Sequence, residues 1–178
     1  MDFFRAESVT LKTHWIMVVM DQFSRRIIGF AVHPGDLNGD VICRMFNKVI
    51  FRHGLPKRLS TDNDALFKSY RWRANVDVLG LKTINSVPYA PVSHPFVERL
   101  IGSVRREFLD HTVFWSSVDL ERKLVGYQEY FNNCRGHHGI GGMTPIKKSG
   151  EKSAEVISLS AYRFEKHCNG LYQLPTAA

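Results

Sequence analysis

The stretch Trp15-Ile16-Met17-Val18-Val19-Met20, Asp21-Gln22-Phe23-Ser24-Arg25, Arg26-Ile27-Ile28-Gly29-Phe30-Ala31-Val32 sets two apolar runs of strand length five residues apart. The first run has no polar alternation, which suits a strand covered on both faces. The five-residue gap suits a hairpin, so the two strands are expected to be antiparallel neighbours. A sheet buried on both sides needs helices on both sides, and the flanking sequence supplies them.

Upstream, Phe3 to Thr10 is a short strand candidate. Downstream, Asn38 is placed to cap a helix from Gly39 to about His53, whose apolar residues Val41, Ile42, Met45, Phe46, Val49 and Ile50 recur at helical spacing before Gly54. Lys57 to Thr61 predicts a strand running into Asp62, Leu66 to Leu79 a helix, and Leu81 to Asn85 another strand. Val87 to His94 is a proline-punctuated loop. Ser93 or His94 then caps a helix opening with Pro95 at its first position and running to about Leu109. A further helix covers Ser117 to Asn133, Gly136 to Gly142 forms a glycine- and histidine-rich loop, and Gly150 to Ala178 shows no strong pattern. The order is α/β with a mixed sheet.

The 178 residues suit one domain with a short appendage, and a 44% hydrophobic content supports a packed core. No apolar run reaches bilayer length, and Met1-Asp2-Phe3-Phe4 lacks the features of a signal peptide, so no membrane partner and a cytoplasmic location are expected. Cys43, Cys134 and Cys168 are an odd, widely spaced set, which argues for reduced thiols, with Cys43 on a buried helix face, rather than a disulfide framework or zinc module. The net charge of +7 suits a polyanionic partner such as DNA.

Three acids stand where strands end or a helix begins: Asp2, Asp62 and Glu98, with 35 residues between the last two. Around them, Asp2-Phe3, Val18-Val19-Met20-Asp21-Gln22-Phe23-Ser24-Arg25-Arg26-Ile27-Ile28-Gly29, Leu59-Ser60-Thr61-Asp62-Asn63, Glu98 through Arg105-Arg106-Glu107, and Tyr130-Phe131-Asn132 with Arg135, His137 and Thr144-Pro145 form five blocks in order. Together they resemble the catalytic core of retroviral-type integrases and the DDE transposases of insertion sequences, over residues 2 to 147. The resemblance implies a ribonuclease-H-like fold with a mixed five-stranded sheet flanked by helices. Its core is expected over residues 1–148 with a C-terminal tail over 149–178, and the family's N-terminal helix-turn-helix region is expected to be absent. Asp64 stands where the family usually has glycine.

The resemblance implies a polynucleotidyl transferase that cleaves and joins DNA strands, with Asp2, Asp62 and Glu98 as catalytic metal ligands. Such chemistry uses divalent ions roughly 3.5–4 Å apart to stabilise the attacking and leaving oxygens. Mg²⁺ and Mn²⁺ favour oxygen ligands, which is why carboxylates rather than Cys or His are expected to hold the two ions. Asp21 competes as the first acid, although its place in a hairpin turn has an ordinary structural use.

Val97, Leu100, Ile101, Val104 and Phe108 form an apolar stripe, while Glu98, Gly102 and Arg105 share a neighbouring face. Arg105 fills the family's DNA-contacting position, and Asn63, Arg99, Arg106, Arg135 and His137 are the other expected DNA contacts. The resemblance further implies a homo-oligomer, a dimer or larger on DNA, associated with the nucleoid. Two alternatives remain open at the sequence level: a catalytically inactive, truncated transposase remnant that binds DNA, and a ribonuclease-H-like nuclease that cleaves without joining.

Overall fold

The computed structural model describes the chain apart from residues 52, 63, 86–94, 151–161 and 178. β1 (Asp2–Glu7), β2 (Thr13–Met20) and β3 (Ile27–Pro34) form an antiparallel meander in that order. β2 is its centre, with Val18 opposite both Asp2 and Phe30. The pleat sends Ile16 and Val18 into one core and Met17 and Val19 into another. An unbroken apolar strand is therefore what the position requires.

On one face, α1 (Gly39–Ile50) and α2 (Tyr70–Val78) enclose Met17, Val19 and Ala31. Asn38 caps α1, its Oδ1 accepting from the Val41 amide at 2.9 Å. A Cβ on Gly29 would lie 3.0 Å from Val49 Cγ1, so glycine in β3 lets α1 pack close. On the other face, α3 (Pro95–Glu107) and α4 (Ser117–Asn133) close over Phe4, Ile16, Val18, Ile27 and Phe30. α3 contributes Val97, Leu100 and Val104, and α4 contributes Leu120, Leu124, Tyr127 and Phe131. A short α5 (Pro145–Lys148) follows, capped by Thr144.

β4 (Arg58–Thr61) and β5 (Lys82–Asn85) pair in parallel. Among the described residues the sheet is thus hydrogen-bonded as three strands plus two, not as one five-stranded unit. A bond from the Met1 nitrogen to the Ser60 carbonyl at 2.9 Å joins the start of β1 to β4. Met1 and Leu59 share the same core.

The helix expected from Leu66 to Leu79 is two pieces. Asp64 caps a 3₁₀ turn over Ala65–Lys68 through the Leu66 amide at 2.8 Å. Ser69 is extended (φ −62°, ψ 146°), and its hydroxyl caps α2 through the Trp72 amide. Serine competes with the helical backbone for its hydrogen bonds, and here it wins. The helix from Gly39 stops at Ile50 rather than His53, because the His53 and Gly54 amides both turn back to the Ile50 carbonyl, with Gly54 at φ +77°.

The tail is more ordered than its pattern suggests. β6 (Tyr162–His167) and β7 (Tyr172–Ala177) form an antiparallel hairpin. The Tyr172 ring stacks on Tyr130 with centroids 4.2 Å apart and its hydroxyl donates to the Glu107 carbonyl, so the hairpin docks on α3 and α4. All three cysteines are free, and Cys43 is half-buried, its thiol 3.5 Å from the Arg71 carbonyl.

Candidate active site and nucleic-acid interface

Asp2 begins β1 and Asp62 follows the last residue of β4, so the link between these strands sets the two acids at one edge of the fold. Both are half-buried. Burial pushes the pKa of the Met1 amino group down to about 6, and the Asp2 and Asp62 charges both act in the opposite direction, so both lie within electrostatic reach of one nitrogen. Asp2 Oδ1 accepts from the Phe3 amide at 2.7 Å and Asp62 Oδ1 from the Asp64 amide at 3.2 Å. Asp64 therefore has a local use, holding the turn after Asp62 and capping the next element.

Glu98 occupies the first turn of α3 with its side chain exposed. Among the described residues no group of three or more His, Cys, Asp and Glu side chains is gathered closely enough to hold a metal ion. The expected triad is thus represented by two neighbouring carboxylates and a third on the α3 surface. The proline loop and the expected Ser93 or His94 cap lie outside the described residues, as does Asn63.

Asp21 has the structural use its position suggests. Its carboxylate accepts from the Ser24 hydroxyl at 2.5 Å, the Ser24 amide at 2.9 Å and the Phe23 amide at 3.4 Å. Burial raises its pKa, but the bonds from Ser24 and Phe23 outweigh that, leaving it below the usual aspartate value.

The cations divide into two groups. Arg105 and Arg106 are exposed at the C-terminal end of α3, one of them directly beyond Glu98 on the same face. Arg106 folds back so closely that a Cβ on Gly102 would be 3.1 Å from its Nη1. Gly102 therefore makes room for an arginine of its own helix. Arg135 and His137 have partners inside the fold instead. Arg135 grips Glu107 through both of its oxygens, at 2.8 Å and 2.5 Å, and is three-quarters buried. Tyr127 adds a hydroxyl to the same carboxylate at 3.2 Å. The third guanidinium nitrogen meets His137 Nδ1 at 3.0 Å. Arginine only donates, so Nδ1 accepts and the ring proton sits on Nε2. Burial and then the Arg135 charge lower the His137 pKa, in keeping with a neutral ring.

Arg25 was legible only as part of the hairpin block, with no role attached. It sits at φ +65°, a left-handed conformation rare for a residue with a side chain. Its guanidinium lies 3.2 Å from the centroid of the Phe96 ring. A cavity of about 220 Å³ opens there between the β2–β3 turn, α3 and the segment after α4, lined by Arg25, Phe96, Arg99, Ser103, Arg135 and His137 among others.

The fold is that of integrase catalytic cores, which is ribonuclease-H-like. Residues 79–145 match the family model described as an integrase core domain. The chain is 26% identical over 131 residues to the insertion element IS476 uncharacterized 39.2 kDa protein of Xanthomonas euvesicatoria, a match covering 74% of the chain. It spans only 38% of that relative's length. Among solved structures, a chain of the simian T-cell lymphotropic virus intasome superposes with a TM-score of 0.67 at 18% identity, covering 98% of this chain and 65% of that one. The catalytic core domain of BIV integrase gives 0.57 at 20% identity, covering 82% and 90%. That of HTLV-2 integrase, solved in complex with magnesium, gives 0.59 at 15% identity, covering 81% and 91%. The identities to the solved structures establish the fold alone. No described helix is long and apolar enough to cross a membrane.

Proposed function

We propose that this chain is the catalytic core of a DNA transposase or integrase, a polynucleotidyl transferase that cleaves DNA and joins the resulting 3′ end to a target. The observation that carries this reading is the pairing of Asp2 with Asp62 at adjoining strand ends of an integrase-type fold. The donors are all carboxylate oxygens, the chemistry that suits Mg²⁺ or Mn²⁺. Asp2 and Asp62 would hold such ions, two in number, with Glu98 completing the set from the first turn of α3. When bound, the ions stabilise charge on the attacking and leaving oxygens of phosphoryl transfer.

The remaining residues bind and orient the strand. At 1.5 Å rise per residue, Arg105 stands about 10 Å along the axis from Glu98, where a phosphate backbone reaching the acids would pass. Arg106 extends this surface, Arg99 meets DNA from the neighbouring flank of α3, and Asn63 is proposed beside Asp62. Of the two remaining expected DNA contacts, His137 acts from the pocket wall, and Arg135, held by Glu107, acts through it by orienting the imidazole. A homo-oligomer on DNA and a nucleoid-associated, cytoplasmic setting complete the proposal.

The test is a nicking and joining assay on labelled duplex with Mg²⁺ or Mn²⁺. Nicking with joining supports the transferase. Nicking without joining replaces it with a nuclease. Binding without either, in a chain carrying its relatives' full length, replaces it with an inactive remnant. Replacing Arg105 and Arg106 together by alanine is expected to weaken DNA binding similarly for all sequences and to reduce the slope of log affinity against log salt by about 2. An unchanged slope in a salt titration would remove this face from the interface.

A further inference from the structure

The cavity behind the β2–β3 turn has an unusual set of walls. Three guanidiniums, those of Arg25, Arg99 and Arg135, line it together with Ser103 and His137, and no carboxylate is among its described lining residues. Glu107 neutralises Arg135 from behind, without lining the cavity. Two nitrogens of its lining residues, Arg25 Nη1 and His137 Nε2, are buried and have no hydrogen-bond partner among the described residues. Buried donors without acceptors are costly, by an amount comparable to a lost hydrogen bond to a charged group. Both are protonated donors: Arg25 because a guanidinium cannot be otherwise, His137 because Arg135 occupies its Nδ1.

Further features hold this arrangement in place. Arg25 is kept in its left-handed conformation by a turn in which Asp21 gathers both the amide and the hydroxyl of Ser24. Such strain persists where the surroundings over-determine it and often accompanies a functional role. Its guanidinium carbon sits 3.2 Å from the centroid of the Phe96 ring, a cation–π contact that holds the group beside the cavity. The His137 ring packs on Phe131, with centroids 4.4 Å apart. Arg99 is exposed and adds a third charge at the mouth. Along α3, Phe96, Arg99 and Ser103 recur at helical spacing on a flank of the helix turned away from Glu98 and Arg105. The pocket is thus separate from the acid cluster.

We propose that this pocket is a phosphate-binding subsite, in which Arg25 Nη1 and His137 Nε2 donate to the oxygens of a DNA backbone phosphodiester and Arg99 closes over it. The DNA assignment rests on the strand-cleavage reading above; the oxyanion chemistry does not. The subsite acts as a second anchor across α3 from the carboxylates and sets the direction in which the strand crosses that helix. Arg135 is a positioning residue here, acting through the tautomer of His137.

The experiment follows the His137 ring resonances of the full chain by NMR, without divalent metal, as inorganic phosphate is added against chloride at matched ionic strength. Saturable phosphate-specific shifts are expected. Arg25→Gln and Arg99→Gln should each weaken phosphate binding by about tenfold. Arg99 is exposed, so its variant tests the pocket even where the Arg25 variant folds poorly. Lys12→Gln, in the turn before β2, should leave binding unchanged. A short duplex of arbitrary sequence should displace phosphate and shift the same resonances. Shifts no greater than in chloride would overturn the subsite. Phosphate binding that duplex DNA cannot displace would overturn the DNA assignment and leave a small-anion pocket. Because no cleavage is read, loss of the catalytic reading and loss of the pocket are separate results.

Discussion

Asp62→Asn is expected to lower DNA nicking by roughly a hundred- to a thousandfold or more, the scale at which losing one preorganised electrostatic contact to a transition state is felt. The change keeps the side-chain volume and the Oδ1 that accepts from the Asp64 amide. The turn after β4, and the Asp64 cap on the following 3₁₀ element, should therefore survive. What is lost is one negative charge from a pair of neighbouring carboxylates. Like charges held together repel, so the metal-free protein should melt no lower than the parent, and its affinity for DNA should be kept or raised. Asp2→Asn should behave in the same way. Asp21→Asn should retain activity with at most a modest loss of stability, since its carboxylate closes a hairpin turn with Ser24 and Phe23. The measurement is nicking with Mn²⁺ beside a thermal melt for each variant. Full activity in Asp62→Asn would remove it from the chemistry. Activity lost in Asp21→Asn and kept in Asp2→Asn would move the first acid to the hairpin.

Much of this framework was legible because local pattern and tertiary role coincide in β2. A strand buried on both faces has to be apolar at every position, and Trp15 to Met20 is. The stripe of α3 and the cap of α1 were legible for the same reason, since both depend on residues within one or two turns. The break at Ser69 was not. α2 buries only Trp72 and Val76, so its apolar pattern is too thin to mark where it begins, and serine's hydroxyl decides instead. The hairpin at the C-terminal end was also hidden. Its order comes from Tyr172 on Tyr130 and the Glu107 carbonyl, contacts with helices far away in sequence, and Phe164 within β6 stays 73% exposed.

The site divides along similar lines. Asp2, Asp62 and Glu98 stood out through their spacing and the blocks around them, although spacing says nothing of the distance between β4 and α3 side chains. Arg135 could not be separated by sequence from a surface arginine. Its partner Glu107 lies 28 residues upstream on another helix. The two occur in successive blocks of the same resemblance, and their pairing was the available signal. Arg25 had a comparable one in the Ser24-Arg25 pair of the hairpin, but its left-handed backbone and the Phe96 ring beneath it are visible only in three dimensions.

Asn132→Ala should produce the largest loss of stability among the variants considered, about 2–4 kcal/mol, from the Ile27 amide left unpaired and the Ile27 carbonyl left with only the longer bond from Gln128, an unsatisfied buried group costing about 1–3 kcal/mol. Asn132 is only 5% exposed, at the end of α4, and its amide does what a neighbouring strand would do. Oδ1 accepts from the Ile27 amide at 2.8 Å and Nδ2 donates to the Ile27 carbonyl at 2.9 Å. Ile27 begins β3 beside the register shift at Val19 and Met20, where the sheet ladder is irregular. Gln128, one turn earlier, gives a weaker version of the same clamp, reaching the Ile28 carbonyl at 3.0 Å and the Ile27 carbonyl at 3.3 Å. Gln128→Ala should cost about 0.5–1.5 kcal/mol, because it is half-exposed and water replaces part of what is lost. Against a typical total stability of about 5–15 kcal/mol, the Asn132 loss is large enough to shift a denaturant midpoint clearly without changing the slope of the transition. Hydrogen exchange isolates the cause: the Ile27 amide should lose protection well before its neighbours in β3. The loss should also reach the phosphate pocket, since Asn132 lies between Phe131, on which His137 packs, and the strand that follows Arg25. An Ile27 amide as slow to exchange in Asn132→Ala as in the parent would show that the strand is held by the sheet alone, and that the asparagine is in place for some other reason.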